Sequence, residues 1–393
     1  MIKRTVLFIS LFGLLSYLVI NGHGNPQKWA GSIETRDGVK IINNPIKPAF
    51  GEVLFDLEEV WVLGKEKDEN DLFASIYDVQ VDAQGNIYVS DIKDRRVKKF
   101  SAEGKYLRDI GRMGQGPGEF QGARNLAVDD SSGDIYLADL LKVHRYDRDG
   151  AYQNSIPING FFENFFIDKD GAFWARMSYF DEKTGQGRAF DKISRNGELT
   201  KRIAKFSASE TGSLRRGAEG SVIVTAGPNH GYEAELIVSR VDGQTFLWAV
   251  SNAYALNMVD VQGNLSFKIL KQEVPQPFSN QEKDKILSGF RADLRAKIEL
   301  PKFKPFIKKA FADSEGRIYV QRVRSPLDEK EDYLCDIFSK EGYYLYRVRL
   351  DIEPAAIKNG CLYSVVRDKE TSYHLVKKYR VKNWDRIEKG IPG

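Results

Sequence analysis

Four histidines, two cysteines and a few short loops are the residues of this chain that could do chemistry. A catalytic zinc needs three convergent ligands and an open fourth position, most often from imidazoles. The chain offers only His23, His144, His230 and His374. His23 lies at the end of an N-terminal apolar segment, and His144 sits in the strand-like KVHRYDR, so no three-histidine centre is expected. The loop GPNHGYEAE, Gly227 to Glu235, gathers Asn229, His230, Tyr232 and Glu233 and is a candidate functional loop; the plain alternative is a polar surface loop. DEKTGQG, Asp181 to Gly187, lacks the alternating acids and distal Glu of a calcium loop and reads as a hairpin turn. GQGPGEF has the glycines of a phosphate loop, but no helix follows to supply the N-terminal amides that such a site needs. No Gly-x-Ser-x-Gly elbow is present, and no Cys–His pairing is suggested. Cys335 and Cys361 are too few for a disulfide scaffold. An oxidising compartment would permit one bridge between them; the alternative is two free thiols in neighbouring strands.

Composition narrows the function classes. The chain has 393 residues, 42% hydrophobic and 29% charged, enough to bury a large core. With 59 basic against 55 acidic residues the net charge is +4 and scattered. No nucleic-acid footprint follows from that, and Lys302, Lys304, Lys308 and Lys309 read as a solvated face. The first 24 residues run from Lys3 and Arg4 through an apolar stretch, Thr5 to Ile20, into small and polar residues. That is the layout of a secretory signal peptide. The expectation is an exported protein, periplasmic or extracellular, monomeric and without a membrane span after cleavage near Gly24, with an uncleaved anchor as the alternative.

The elements that would position any site are written as a repeat. VQVDAQGNIYVSD, LAVDDSSGDIYLAD, FIDKDGAFWARM, VSRVDGQTFLWAVS, AFADSEGRIYVQR and AIKNGCLYSVV each show a short apolar strand, a polar turn with glycine and a strand carrying an aromatic. Their turn glycines, Gly85, Gly133, Gly171, Gly243, Gly316 and Gly360, lie 48, 38, 72, 73 and 44 residues apart. A second hairpin with a turn ending in glycine follows most of them, as in VKKFSAEGKYLRDIG. Two hairpins make a four-stranded antiparallel sheet, and six such sheets repeated radially make a six-bladed β-propeller. The last unit lacks its fourth strand, while GEVLFDLEEVWVLG, Gly51 to Gly64, has no sheet of its own. The N-terminal strand is therefore expected to close the ring and remove two open edges. The expected organisation is signal peptide 1–24, N-terminal extension 25–50, propeller 51–385 and tail 386–393. One inter-blade insertion, 274–304, has helical spacing of Ile286, Phe290 and Leu294 behind a cap at Ser279 or Asn280.

GQGPGEFQGARNLAVDDSSGDIYLADLLKVHRYDRDG and VQVDAQGNIYVSDIKDRRVKKFSAEG resemble NHL repeats, and as a whole the chain is similar to exported six-bladed propeller proteins of bacteria. The resemblance implies a Gly-rich crossing at Gly114 to Gly118, Phe120 plugging the groove between blades, and an innermost strand over Asn125 to Asp129. It implies that any site lies at the central channel. A calcium centre of the gluconolactonase kind would draw there on Asp91, Asp139, Asn125, Asn164 and Glu163. In NHL-like repeats the Asp at the end of the second strand, here Asp91 and Asp139, is generally structural, holding backbone N–H groups.

Two readings of function follow. In the first, an exported non-catalytic propeller without cofactor binds a protein, peptide or glycan at the channel mouth. Arg112, Arg124, Tyr179, His230, Tyr232, Arg322 and Arg324 would form the rim, since Arg and Tyr supply contact area and donors. In the second, a calcium-dependent lactonase, another hydrolase or a lyase works in the channel. A structural part in a larger envelope assembly is a third role compatible with the sequence.

Overall fold

An aspartate that folds its carboxylate back over the turn explains the repeated strand–turn–strand rhythm. Asp82 accepts the N–H groups of Gln84 and Asn86 at 2.9 and 2.8 Å and the Tyr88 hydroxyl at 3.1 Å. Asp168 holds the Trp174 indole N–H at 2.9 Å, and Asp313 the Tyr319 hydroxyl at 2.9 Å, each six residues on. The aromatic after the turn thus buries its ring and spends its polar atom on the Asp. Gly85 and Gly316 complete such turns at φ +87° and +81°, where a Cβ would be strained.

The structure is a computed structural model and describes residues 29–65, 69–122, 124–181, 185–207, 212–216, 222–226, 230–329 and 332–391. The expected signal peptide, with His23, lies outside them. The hairpins pair into six blades around a central axis. Blade 1 is Ile76–Val81, Ile87–Asp91, Arg96–Phe100 and Tyr106–Ile110; blade 2 is Leu126–Val128, Ile135–Asp139, Lys142–Tyr146 and Tyr152–Pro157. Blade 3 is Phe161–Ile167, Phe173–Asp181, Gly185–Ile193 and Leu199–Ser207; blade 4 is Leu236–Arg240, Thr245–Val250, Ala255–Asp260 and Leu265–Lys271. Blade 5 is Ile307–Ala312, Ile318–Arg322, Tyr333–Phe338 and Tyr344–Leu350. Blade 6 is Ala356–Lys358, Cys361–Arg367, His374–Val381 and, as its outermost strand, Leu57–Leu63. The N-terminal strand therefore closes the ring, antiparallel to His374–Val381.

Second strands such as Ile87–Asp91 and Ile135–Asp139 are buried throughout, because neighbouring blades cover both faces. Their near-continuous apolar sequence is the consequence. Trp174 of blade 3 stacks on Phe246 of blade 4 at 4.0 Å and 8°. Phe120, fully buried among Tyr88, Ile110, Leu137 and Tyr146, fills the groove between blades 1 and 2 as expected.

Three features differ from the sequence reading. The described part of the expected extension, residues 29–50, is more than an extension. Ser32–Arg36 and Val39–Asn44 form a hairpin whose second strand joins the outer strand of blade 4 in parallel, making a six-stranded sheet. Glu52–Val53 then pairs in parallel with blade 5. Asn44 bolts these blades together: its Nδ2 donates to the carbonyls of Leu270 and Gly342, and its Oδ1 accepts the N–H of Tyr344 at 2.8 Å. The tail assigned from residue 386 also packs, since Arg317 stacks on Trp384 at 4.0 Å and donates to the Ile387 carbonyl at 2.7 Å. The insertion holds two helices, Asn280–Ser288 and Ala292–Arg295, rather than one; the first stops at Gly289. Ser279 is the cap, in a capping box with Glu282.

Candidate functional site

Strand order fixes which residues share a face. In an antiparallel blade the first strand starts, and the second ends, on the face where the chain crosses from blade to blade. The loops between second and third strands and all crossings lie on this crossing face; the Asp turns lie on the opposite one. All seven residues of the expected rim belong to the crossing face. They do not form one rim.

Arg112 pairs with Glu119 at 2.7 Å and Arg124 is exposed, both in the crossing from blade 1 to blade 2. Tyr179 lies beneath Arg202 and Lys205 at 5.2 and 4.8 Å from its ring. The other four gather around blades 4 and 5. The Tyr232 hydroxyl donates to the Arg324 carbonyl at 3.3 Å, and its ring meets Phe278 edge-on at 5.2 Å. His230 neighbours that ring, and its Nδ1 accepts the Tyr232 N–H at 3.2 Å.

The central cavity, about 560 Å³, runs along the inner strands. On the turn face, Asp130 of blade 2 pairs with two residues of the cavity lining, Arg240 of blade 4 and, at 2.8 Å, Lys358 of blade 6. Lys358 also donates to the Val81 carbonyl and Arg240 to that of Ile167, so the cluster touches five blades. Burial works against the Asp130 charge, but the two cations outweigh it and hold its carboxyl below the usual range. Near the other end stands Asp78. Burial pushes its carboxyl up to about 6, despite hydrogen bonds from the Leu126 N–H and the Gln80 amide.

Four of the five expected calcium ligands are engaged in the fold. Glu163 is held by Arg176 at 3.0 Å, by Arg188 at 2.8 Å and by the Ser178 hydroxyl. Asn125 donates to the Phe162 carbonyl at 2.9 Å. Asp91 accepts N–H groups from Ser75, Lys93 and Asp94, each at 3.0 Å, and from Ala74. Asp139 pins the crossing loop through the N–H groups of Gln121 and Gly122. Asn164 lines the cavity. The histidines do local work. His144 is buried against Ser155 and Asp139, and burial lowers its pKa. His374 accepts the Ile76 N–H at 2.8 Å, and burial lowers its pKa too. Among the described residues no three His, Cys, Asp or Glu side chains converge as a metal site. Cys335 and Cys361 sit in blades 5 and 6 as free thiols, with Cys335 pushed up to about 12 by burial.

A second cavity, about 450 Å³, opens on the crossing face between blades 4 and 5. Arg322 and Arg324 line it. Arg347, Arg349, Lys304, Glu273, Asp328 and Asp332 complete its charged lining; Lys304, expected on a solvated face, is instead largely buried against Glu282, and the other five escaped the sequence reading. A signal was present: YRVRL places two arginines one strand period apart, on one face of the sheet. The two ends of the helical insertion form one wall, clamped by the Lys304 N–H on the Gln276 carbonyl at 2.9 Å. Glu282 fastens the insertion above, accepting Lys304 at 2.7 Å and the Ser325 hydroxyl at 2.6 Å.

Comparison with known proteins identifies the fold's company. No curated protein matches the sequence. A putative exported protein from Bacteroides fragilis superposes with a TM-score of 0.53 at 11% identity, covering 87% of this chain and 99% of that one. At this identity it shows the propeller fold alone. Similar too are a member of the duf4221 family from Bacteroides vulgatus (TM-score 0.44, 9% identity, 83% and 98% covered) and virginiamycin B lyase from Staphylococcus aureus (TM-score 0.42, 9% identity, 83% and 99% covered). The NHL likeness stays with the motifs of the first two blades, whereas a family model matches residues 65–292, more than half of the chain. By that match the protein belongs to the family described as a domain of unknown function, DUF4934.

Proposed function

We propose that this protein is an exported, non-catalytic propeller that binds its ligand on the crossing face, in the recess between blades 4 and 5. One observation carries the reading. The carboxylates and amides that a calcium enzyme would draw on in the channel mostly hold backbone groups, arginines or neighbouring side chains, whereas the recess between blades 4 and 5 is open and lined by charge. A rigid ring with one built recess suits recognition, because little ordering has to occur on binding. The ligand classes in view are protein, peptide and glycan. The second reading, a calcium-dependent lactonase, another hydrolase or a lyase in the channel, draws on Asp78, a carboxyl raised to about 6 within a cavity.

The test is a thermal-shift screen of the full chain against glycans, peptides and lactones, with recovery of each hit after long incubation. The binding reading expects a raised melting temperature and a ligand returned unchanged. Conversion of a hit into product, abolished by Asp78→Asn, would replace it with the channel enzyme.

A further inference from the structure

We infer that the recess between blades 4 and 5 takes a small hydroxylated carboxylate, with the chemistry of a uronic acid. The inference deepens the binding reading and rests on it. The volume, about 450 Å³, lies in the usual range for ligand pockets of roughly 300–1,000 Å³. The charges inside are mixed. Lys304, Arg322, Arg324, Arg347 and Arg349 face Glu273, Asp328 and Asp332.

The cations are tethered. Arg322 holds Glu273 at 2.9 Å, Arg349 holds Asp332, and the Arg347 Nε holds the buried Asp336 at 2.8 Å. A guanidinium has five N–H donors, so each tether leaves others over. Buried in the recess, the donor Arg347 Nη2 and the acceptor Asp332 Oδ1 stand without a hydrogen bond among the described residues. Buried polar atoms are normally satisfied, and an orphan of each sign in one cavity points to an occupant that accepts at one end and donates at the other.

That pairing sorts the candidates. A bare oxyanion would meet Arg347 but brings no donor for Asp332. A neutral sugar could reach both atoms through its hydroxyls, but would give the guanidinium only an uncharged acceptor, the weaker partner. A carboxylate on a hydroxylated ring serves both. Val274, Phe306, Val323 and Leu334 add apolar wall for the ring's C–H face. The insertion closes one side of the recess, which favours a compact ligand over an extended peptide.

The test is calorimetric titration of the full chain with glucuronate, glucose and inorganic sulfate. Glucuronate should bind with one-to-one saturation, at least about tenfold more tightly than either partial mimic, the worth of one charged hydrogen bond. Arg347→Lys retains a cation for Asp336 but removes Nη2, and Arg349→Gln changes an exposed side chain that the fold tolerates. Each should weaken glucuronate about tenfold or more, while Arg380→Gln, at an exposed side chain on the third strand of blade 6, should bind as wild type. Absence of saturable heat with glucuronate, or binding unchanged in both recess variants, would overturn the assignment. A different ligand from the screen that binds equally well to both recess variants would also overturn it, and would leave the broader binding reading standing.

Discussion

Glu282 offers the sharpest test of how the helical insertion is fastened. Its carboxylate is almost fully buried and receives Lys304 at 2.7 Å, the Ser325 hydroxyl at 2.6 Å and the Ser279 N–H at 2.9 Å. Burial alone would raise its pKa, but these partners outweigh burial and hold it down at about 2, against 4.5 for a free Glu. At about 1.36 kcal/mol per pH unit, that difference corresponds to roughly 3 kcal/mol favouring the docked insertion at neutral pH. Glu282→Gln keeps the size and one acceptor, so the expected loss is about 1–3 kcal/mol of local stability. Because the folded pKa is depressed, the stabilisation is complete above pH 4.5 and fades as pH falls toward 2. Hydrogen exchange of Asn280–Ser288 reads the local opening directly. The variant should lose about one to two decades of protection at pH 7, and the gap to wild type should narrow between pH 4.5 and 3. Equal protection at pH 7, or a gap that does not change with pH, would refute the reasoning.

Asp78 behaves in the opposite sense. Its pKa is raised to about 6 by burial, so its charge costs stability as pH rises from 3.8 through 6. Asp78→Asn should be about 1–3 kcal/mol more stable than wild type at pH 7 and equal to it below pH 4, by chemical denaturation. Asn44→Ala should cost about 2–4 kcal/mol, since it leaves the carbonyl of Gly342 and the N–H of Tyr344 without their partner at the joint of blades 4 and 5. Denaturation without reductant should release two thiols to a disulfide-exchange reagent. In the native protein Cys335, buried and raised to about 12, should stay unreactive; a single-step loss of both signals would indicate a bridge.

The propeller was legible because its local rules repeat. An Asp, a Gly and an aromatic six residues after the Asp recur where the backbone needs them, and the unpaired strand at Leu57–Leu63 pointed to ring closure. The hairpin on blade 4 was not legible. Its strand VKIINN is short and pairs in parallel with residues more than 220 positions away, so no local period announces it. The recess was half legible. Arg322 and Arg324 stood out by blade position, but Arg347 and Arg349 belong to an outer strand, where arginine is ordinarily solvated. What makes them matter is the insertion laid across the groove between blades. The same distance effect hides the partners of Glu163: only the fold shows Arg176 and Arg188 closing on it from the second and third strands of its blade.

The central claim is that the channel's acidic residues serve the fold and the protein binds rather than catalyses with metal. Elemental analysis of the purified protein, beside thermal melting with and without EDTA, tests it most directly. The account predicts no stoichiometric calcium or zinc and the same melting temperature in both conditions. One equivalent of calcium, with a melting temperature that falls in EDTA, would contradict it and make the channel a metal centre.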